Sequence, residues 1–291
     1  TPNDGMVDGT SDEDQVTIGN TPPEASNLAI SPPSPYTTDD LVGSYTYYDA
    51  DGDPESGSEI RWYKDGSLQS AFNDLLTVPS SATAKGQAWY FTVEPKDGTS
   101  FGALQTSPSV TIQNSPPTAP VVDVTPDFPL TTDDLTCTVV VPSTDPDGDT
   151  VSYTYEWYKN DVLQPSLTTT TTALSVTIDS SNTKKGEVWK CVVTPHGSDG
   201  PPDEDEVTIQ NSPPFISGLN ITPDPAYTDD ALTATPYGWS DADGDAAQYV
   251  YQWQKWNGAN WQNISGETSN TLSSNNFVKG DQIKVICTPF D

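Results

Sequence analysis

The chain has 291 residues and a formal net charge of −31, from 42 acidic and 11 basic residues with a single histidine. This acidity disfavours nucleic acid and anionic membranes as partners, because both require clustered lysine and arginine, and it favours divalent cations. The 8 tryptophans and 13 tyrosines exclude a fully disordered chain, and the 27 prolines and 20 glycines indicate many turns. No run of 18 apolar residues occurs, so this segment predicts no membrane contact.

Three copies of one unit, each about 96 residues long, follow one another along the chain. The recurring markers are a linker Asn-x-Pro-Pro from Asn20, Asn114 and Asn211, a loop Asp-x-Asp-Gly-Asp from Asp49, Asp145 and Asp241, a tryptophan at Trp62, Trp157 and Trp253, and a Lys-Gly pair at Lys85, Lys185 and Lys279. The predicted boundaries are 1–19 for the last strand of a preceding or neighbouring domain, 20–113 for repeat 1, 114–210 for repeat 2 and 211–291 for repeat 3, which lacks its last strand.

Each repeat predicts about seven short strands. In chain order they include 27–31 and 219–222 after the linkers, 41–48 and 135–141 before the acidic loops, the tryptophan strands with their hairpin turns at 64–66 and 159–161, and later stretches at 174–178, 188–193 and 207–209. Short strands at this spacing, bounded by Pro, Gly and Asp, are typical of β-sandwiches. The sequence therefore predicts an all-β chain of tandem immunoglobulin-like domains, extended like beads on a string.

Two strand motifs support this fold. The stretches Arg61-Trp-Tyr-Lys-Asp65 and Glu156-Trp-Tyr-Lys-Asn160 resemble the third strand of I-set immunoglobulin domains. With its Asp-Gly-Asp loops, the whole chain resembles the immunoglobulin-like and PKD-like repeat arrays of archaeal and bacterial secreted surface or filament proteins. The resemblance spans all three repeats and implies a structural, non-enzymatic protein of the cell surface.

The cysteines of repeat 2 follow the immunoglobulin order Cys…Trp…Cys, with Cys137 and Cys191 on either side of Trp157. This order predicts a disulfide that joins the two sheets and an extracellular, oxidising compartment. Repeats 1 and 3 have Gly43 with Phe91 and Ala234 with Val285 at these positions, so neither of them forms the bridge. Cys287 is left over, and either a buried free thiol or an intermolecular bridge accounts for it.

The acidic loops predict structural calcium. Alternating aspartates around a glycine supply the several oxygens that Ca²⁺ needs, and a second loop at the same end of an immunoglobulin domain adds one more carboxylate. The predicted ligands are Asp49, Asp51, Asp53 and Asp97 in repeat 1, Asp145, Asp147, Asp149 and Asp199 in repeat 2, and Asp241, Asp243 and Asp245 in repeat 3. One weakly bound ion per repeat would stiffen each domain junction, with the pairs 39–40, 133–134 and 229–230 contributing from the neighbouring domain. The alternative is ordinary turn chemistry.

The two ends of the sequence are out of phase with the repeat. Val16-Thr17-Ile18 matches Val110–Ile112 and Val207–Ile209, which end repeats 1 and 2, whereas repeat 3 stops before such a strand. In one interpretation, residues 1–18 of one molecule complete repeat 3 of the next by donor-strand exchange, which builds a head-to-tail filament. In the second, the sequence is a window on a longer covalent repeat chain. In the third, it is a fragment with frayed ends.

Other functional signals are weak. A catalytic triad would need His196, the single histidine, and no nucleophile motif accompanies it. Acidic pairs suit glycoside hydrolysis, but these recur with the scaffold. Trp256 and Trp261 predict a cross-strand pair rather than a sugar-binding platform. Asn220 and Asn263 begin glycosylation sequons.

The sequence as a whole predicts a segment of an extracellular filament or cell-surface stalk. Its expected partners are copies of itself, joined head to tail, and other surface-layer or matrix components. An adhesin or carbohydrate-binding repeat array is the alternative, and exposed aromatic side chains in line on one face would favour it.

Overall fold

The computed structural model describes residue 5 and residues 10–197 and 199–291. Across these residues the chain forms 22 β-strands and five short 3-10 turns, and the paired strands run antiparallel. No helix in the described part of the chain has the length and apolarity to span a bilayer. The predicted all-β class and tandem immunoglobulin-like sandwich architecture are confirmed by the strand pairing of each repeat.

Repeat 1 contains two facing sheets. Its strands are β1 (Glu24–Ser31), β2 (Leu41–Tyr48), β3 (Glu59–Lys64), β4 (Ser67–Leu68), β5 (Thr77–Val78), β6 (Ala88–Glu94), β7 (Gln105–Thr106) and β8 (Val110–Thr111). One sheet has the order β1-β2-β5, and the other has the order β4-β3-β6-β7 with β8 also paired to β6. Residues alternate between buried and exposed along β2, as expected for a strand with one face on the core.

Repeat 2 has the same plan. Its strands are β9 (Val121–Thr125), β10 (Leu135–Val141), β11 (Ser152–Lys159), β12 (Val162–Leu163), β13 (Thr169–Thr171), β14 (Ser175–Ile178), β15 (Val188–His196) and β16 (Asp203–Thr208). The sheets are β9-β10-β14 and β12-β11-β15-β16, with β13 also paired to β11. The turn between β11 and β12 places Asn160 and Asp161 at φ of 48° and 63°, which matches the tight hairpin predicted there.

Repeat 3 has fewer strands. They are β17 (Gly218–Thr222), β18 (Leu232–Tyr237), β19 (Gln248–Trp256), β20 (Trp261–Asn263), β21 (Thr271–Leu272) and β22 (Ile283–Phe290). The sheets are β17-β18-β21 and β20-β19-β22, and among the described residues no strand pairs with the second edge of β22.

A tryptophan lies at the centre of each core. Trp62, Trp157 and Trp253 are fully buried. In repeat 2, Trp157 shares its core with Cys137 and Cys191, which form the predicted disulfide across the two sheets with a Cα–Cα distance of 6.4 Å.

The chain divides into two compact units. The first contains the described residues up to Pro117 together with Thr144–Thr150, and the second contains Thr118–Ser143 and Val151–Asp291. The acidic loop of repeat 2 is therefore grouped with the first unit.

Candidate functional site: the acidic loops

The three acidic loops share one local geometry. The Oδ1 atom of the first aspartate accepts the backbone N–H groups two and four residues further along the chain. For Asp49, Asp145 and Asp241 these N···O distances are 2.8 and 3.1 Å, 2.8 and 3.2 Å, and 2.9 and 2.9 Å. The intervening glycine has a φ of 83°, 76° or 78°, a conformation that costs most other residues energy. Each loop therefore forms a hydrogen-bonded turn, and this turn uses only one oxygen of the first carboxylate.

The middle aspartate of each loop anchors the linker that enters its repeat. The Oδ2 atom of Asp51 accepts the backbone N–H of Thr21 at 2.6 Å. In the other two repeats, Asp147 and Asp243 bind the equivalent N–H groups of Ser115 and Ser212 at 2.7 and 2.8 Å. Loop and linker are thus held together at the entry of each repeat.

The second oxygen of the first aspartate is the unusual atom of the site. The Oδ2 atoms of Asp49, Asp145 and Asp241 are all buried, and no hydrogen-bond donor among the described residues reaches them. A buried carboxylate oxygen without a partner is costly, and the same atom is left in this state three times. A cation would satisfy each of them.

Two loops bring carboxylates together at the spacing that a cation requires. Oxygens of Asp49, Asp51 and Asp53 lie within 4.8 Å of one another in repeat 1. In repeat 3, the same holds for Asp241, Asp243, Asp245 and Asp291. Among the described residues, Asp145, Asp147 and Asp149 do not converge in this way, although their hydrogen-bonded turn is the same.

Asp291 is a site residue that the sequence prediction missed. It follows Pro289 by two residues, as Asp97 follows Pro95, and this shared frame was the available signal. Each carboxylate is held by the linker asparagine of its own repeat, Asp97 by Asn20 and Asp291 by Asn211, both with an Nδ2–Oδ2 distance of 2.8 Å. The second loop therefore meets the linker in both repeats, as predicted for Asp97.

Hydrogen bonds hold Asp97 in its charged form. Its side chain is buried and accepts an N–H from Asn20 and backbone N–H groups from Ser100 and Thr99. These bonds lower the pKa of Asp97, with the bond from Asn20 the largest cause. Nearby, burial and then the charges of Asp49 and Asp97 raise the pKa of Tyr47, which reflects the negative potential of the site.

Asp199 has a different partner from Asp97. Its Oδ1 atom lies 2.5 Å from Nδ1 of His196, and Nε2 of the same ring lies 2.7 Å from Oγ1 of Thr154. This histidine is thus engaged by two side chains of its own repeat.

Lysines from the preceding repeat complete two of the loops. Lys85 forms an ion pair with Asp149 inside the first unit, and Lys185 forms one with Asp245 inside the second. These hydrogen bonds raise the pKa of both lysines. Lys185 also donates to Oδ1 of Asn211 at 2.9 Å, so it contacts both the linker and the loop of repeat 3.

Five of the six aspartates predicted to reach across the junctions accept a hydrogen bond within their own repeat. Asp40 and Asp134 accept the backbone N–H of Ser80 and Ser180 at 2.6 and 2.8 Å. The Asp residues at 39, 133 and 230 accept an N–H from three residues earlier in their own turns. Their oxygens are used in capping turns, and none of them belongs to the converging clusters of the described chain. One oxygen of each of these five carboxylates is thus engaged locally, and a contribution across the junctions stays a prediction.

The remaining predicted sites lie on the surface. Val16 and Ile18 are 81% and 83% exposed, and residues 10–19, including Thr17, form no strand. The sequon residues Asn220 and Asn263 are exposed on strands, so their glycosylation stays a prediction.

Cys287 and the tryptophan hairpin belong to repeat 3. Cys287 is half-buried, and burial raises the pKa of its thiol. Trp256 pairs directly with Trp261 across β19 and β20, with ring centroids 5.5 Å apart, as their spacing predicts.

No protein-family model matches the chain, and no curated protein sequence matches it. Among solved structures, the chicken CNTN1 FN1-FN3 domains are similar over 93% of this chain and 93% of that chain, with a TM-score of 0.30 and 12% sequence identity. The selenomethionine-substituted chicken interferon gamma receptor alpha chain is similar over 64% of this chain and 98% of that chain, with a TM-score of 0.36 and 8% identity. The fold is established by the strand pairing described above and not by these likenesses.

Proposed function

We propose that the chain is a segment of an extracellular filament or cell-surface stalk, built from immunoglobulin-like repeats that are joined head to tail and stiffened by Ca²⁺ at the acidic loops. The observation that carries this proposal is the buried Oδ2 atom of the first aspartate, without a partner among the described residues in all three repeats.

Calcium suits the donors that surround this atom. Hard cations bind six to eight oxygens at about 2.3–2.6 Å, and carboxylates are their commonest protein ligands. In repeat 3 the ion would be held by Asp241, Asp243, Asp245 and Asp291. Calcium sites in extracellular modules have dissociation constants of about 10⁻⁴–10⁻³ M. Bound Ca²⁺ also offsets part of the repulsion among carboxylates in a chain of net charge −31.

The loops are placed where an ion affects the path of the chain. Their middle aspartate binds the linker, and in repeat 3 the third aspartate binds Lys185 of the preceding repeat. An ion at Asp241 therefore fixes the loop against the linker and against repeat 2. A stalk that holds its tip away from a surface requires stiff connections between successive repeats. The buried positions of Trp62, Trp157 and Trp253 give no support to an aromatic sugar-binding face.

Calcium titration of the chelator-stripped chain tests the proposal. We expect isothermal titration calorimetry to detect binding in the range of about 10⁻⁴–10⁻³ M, with a rise in melting temperature larger than that caused by NaCl of equal ionic strength. Asp241→Asn keeps the shape of the side chain and removes the charge, so it should abolish binding at repeat 3 only. The combined Asn substitutions at Asp49, Asp145 and Asp241 should abolish all of it.

Asp127→Asn is the matched control, because it removes one charge from an exposed residue outside the acidic loops. It should bind Ca²⁺ like the unchanged chain. Calcium binding that survives the triple substitution, or a Ca²⁺ effect no larger than that of Na⁺, would show that the loops are only turns.

A further inference from the structure

The last strands of repeats 1 and 2 fill a groove between their two sheets. In repeat 2, Val207 and Ile209 are buried, and Thr208 between them is exposed. The backbone of Ile209 donates to Glu187 and accepts from Gly186 at 2.9 and 2.8 Å. Repeat 1 has the same bonds between Ile112 and its own Gln87 and Gly86. This strand therefore contributes both core side chains and backbone hydrogen bonds.

Among the described residues, no strand occupies the corresponding groove of repeat 3. A cavity of about 940 Å³ is lined there by apolar side chains that are only half-buried, among them Leu219, Ile221, Phe277 and Ile283. Gly280 follows Lys279 as Gly186 follows Lys185, so the backbone that binds Ile209 in repeat 2 has a counterpart here. The buried core of repeat 3 contains four apolar residues, against fourteen among the described residues of repeat 2.

One segment of this chain matches the strand that fills the groove of repeat 2. Residues 12–18 read Asp-Glu-Asp-Gln-Val-Thr-Ile, and residues 203–209 read Asp-Glu-Asp-Glu-Val-Thr-Ile. Six of the seven positions are identical. Val16 and Ile18 are exposed, although the equivalent Val207 and Ile209 are buried. Residues 12–18 therefore have the sequence of a core strand, but their apolar side chains are exposed in the described structure.

The aspartates of this segment also match residues that make defined contacts in repeat 2. In repeat 2, Asp203 and Asp205 of β16 accept the backbone N–H groups of Val122 and Val124 in β9 at 2.9 and 2.8 Å. These side chains bond the edge of the opposite sheet. At the matching positions, residues 12–18 keep both aspartates.

The first strand of repeat 3 presents the corresponding donors. Leu219 and Ile221 of β17 match Val122 and Val124, since each pair precedes a Thr-Pro step with the same spacing. Ala234, opposite Ile221, donates its N–H to Asn270 on the far side at 2.7 Å. In an antiparallel pair, the N–H groups of successive residues point alternately toward and away from the partner strand, and two opposite residues point the same way relative to each other. Because the N–H of Ala234 points away from β17, the N–H of Ile221 points away from β18, toward the groove.

The charges along β22, the edge strand of repeat 3, agree with this match. In repeat 2, Lys190 of β15 lies 3.5 Å from Glu204 of β16. Lys284 occupies the position of Lys190 in β22, and Glu13 occupies the position of Glu204. A strand placed on β22 in the register of β16 therefore brings opposite charges together.

We propose that the groove of repeat 3 binds residues 12–18 of a second copy of the chain. Val16 pairs with Ile283 and Asp14 with Val285, in the register that joins Val207 to Trp189 and Asp205 to Cys191. Ile18 fills the apolar groove, and Asp12 and Asp14 accept the N–H groups of Leu219 and Ile221. This contact joins different surfaces of the two molecules, so it propagates into a filament. The inference rests on the head-to-tail assembly proposed above and names its contact.

Sedimentation velocity of the purified chain tests this contact. We expect assemblies much larger than the 31.2 kDa monomer, which return to 31 kDa after boiling with denaturant and reductant. Ile18→Asp should lower the affinity by about 100-fold or more and leave monomers, because it buries a carboxylate in an apolar groove. Thr17→Asp is the matched control, since the equivalent Thr208 is exposed, and it should assemble like the unchanged chain.

Two further measurements test the geometry. Appending a copy of residues 5–20 after Asp291 supplies the strand within one molecule, so this variant should stay monomeric and melt at a higher temperature. Cys287 corresponds to Val193, which is fully buried in repeat 2, so its alkylation should be slower in the assembly than in the Ile18→Asp monomer.

A monomeric unchanged chain, or an Ile18→Asp variant that assembles normally, would overturn the proposal. So would native material that keeps a mass several-fold above 31 kDa after boiling, because the strand would then come from the same longer chain. Calcium titration of the Ile18→Asp monomer separates this result from the calcium proposal, since the acidic loops are unchanged in it.

Discussion

The first aspartate of each acidic loop divides its two carboxylate oxygens between two roles. In Asp241, Oδ1 accepts two backbone N–H groups and shapes the turn, while Oδ2 is buried without a donor in the described chain. Ordinary turn chemistry accounts for the first oxygen only. The second oxygen is the atom on which the calcium proposal rests, because the turn leaves it without a hydrogen bond.

Asp97 provides a pH test of the same site. Its pKa is lowered in the folded chain, so its contribution to stability is complete above the unfolded pKa of about 3.9 and is lost as the pH falls through the lower, folded value. Asn20→Ala removes the largest cause of this shift. We expect NMR titration to show a higher pKa for Asp97 in Asn20→Ala. The variant should also have a lower free energy of unfolding than the unchanged chain near neutral pH, and this difference should shrink as the pH falls toward 2.

Gln113→Ala serves as the control for that substitution, because it removes an exposed side-chain amide from the same unit. The pKa of Asp97 should not change in this variant. An unchanged pKa in Asn20→Ala would mean that the asparagine does not hold the carboxylate in solution.

At the scale of the strands, the repeats close the space beside the central tryptophan in two ways. Repeat 2 joins β10 to β15 by the Cys137–Cys191 disulfide. In repeat 1, Phe91 lies against Trp62 with ring centroids 5.1 Å apart. A Cβ atom at Gly43 would lie 3.1 Å from the Phe91 ring, so the glycine in β2 makes room for the aromatic side chain.

Removing the disulfide should destabilise repeat 2 alone. The bridge closes a loop with a sequence separation of 54 residues, and its loss from the double variant Cys137→Ala/Cys191→Ala should cost about 2–4 kcal/mol. Differential scanning calorimetry should show one transition moved to lower temperature. Cys287→Ala is the control, because it replaces a cysteine of repeat 3 without removing a bridge. A shift of every transition would contradict independent folding of the repeats.

At the scale of the whole molecule, the repeats differ in how completely they bury their cores. Among the described residues, the buried core of repeat 2 contains fourteen apolar residues, that of repeat 1 eleven and that of repeat 3 four. Because apolar burial drives folding, local stability should follow this order. Repeat 3 then gains most from an added strand.

Hydrogen exchange should detect this order. In the Ile18→Asp monomer, we expect the amides of β19 to exchange at least about tenfold faster than those of β11, since the core beneath them is smaller. In the assembled chain, the amides of β19 and β22 should become protected, with little change in β11. Equal protection of β19 and β11 in the monomer would show that the open groove does not weaken repeat 3.

Strand positions show how far local pattern alone reaches. Alternation and turn residues predicted 41–48 and 135–141, which are the bounds of β2 and β10. The prediction for the last strand of repeat 2 began at Val207, whereas β16 begins at Asp203. Acidic residues are rare in strands, and here they pair because Asp203 and Asp205 accept N–H groups from β9, a contact that no local pattern contains.

By itself, the sequence determined the repeats, the sandwich class, the Cys137–Cys191 bridge and the turn geometry of the acidic loops, because each depends on residues at fixed spacing. The tertiary structure alone decided that Asn211 holds Asp291 beside the third loop, that Lys185 binds Asp245 and that Asp134 accepts the N–H of Ser180. Those outcomes depend on residues far apart in the chain competing for the same hydrogen-bond donors, and only the packed strands fix which donor each carboxylate meets.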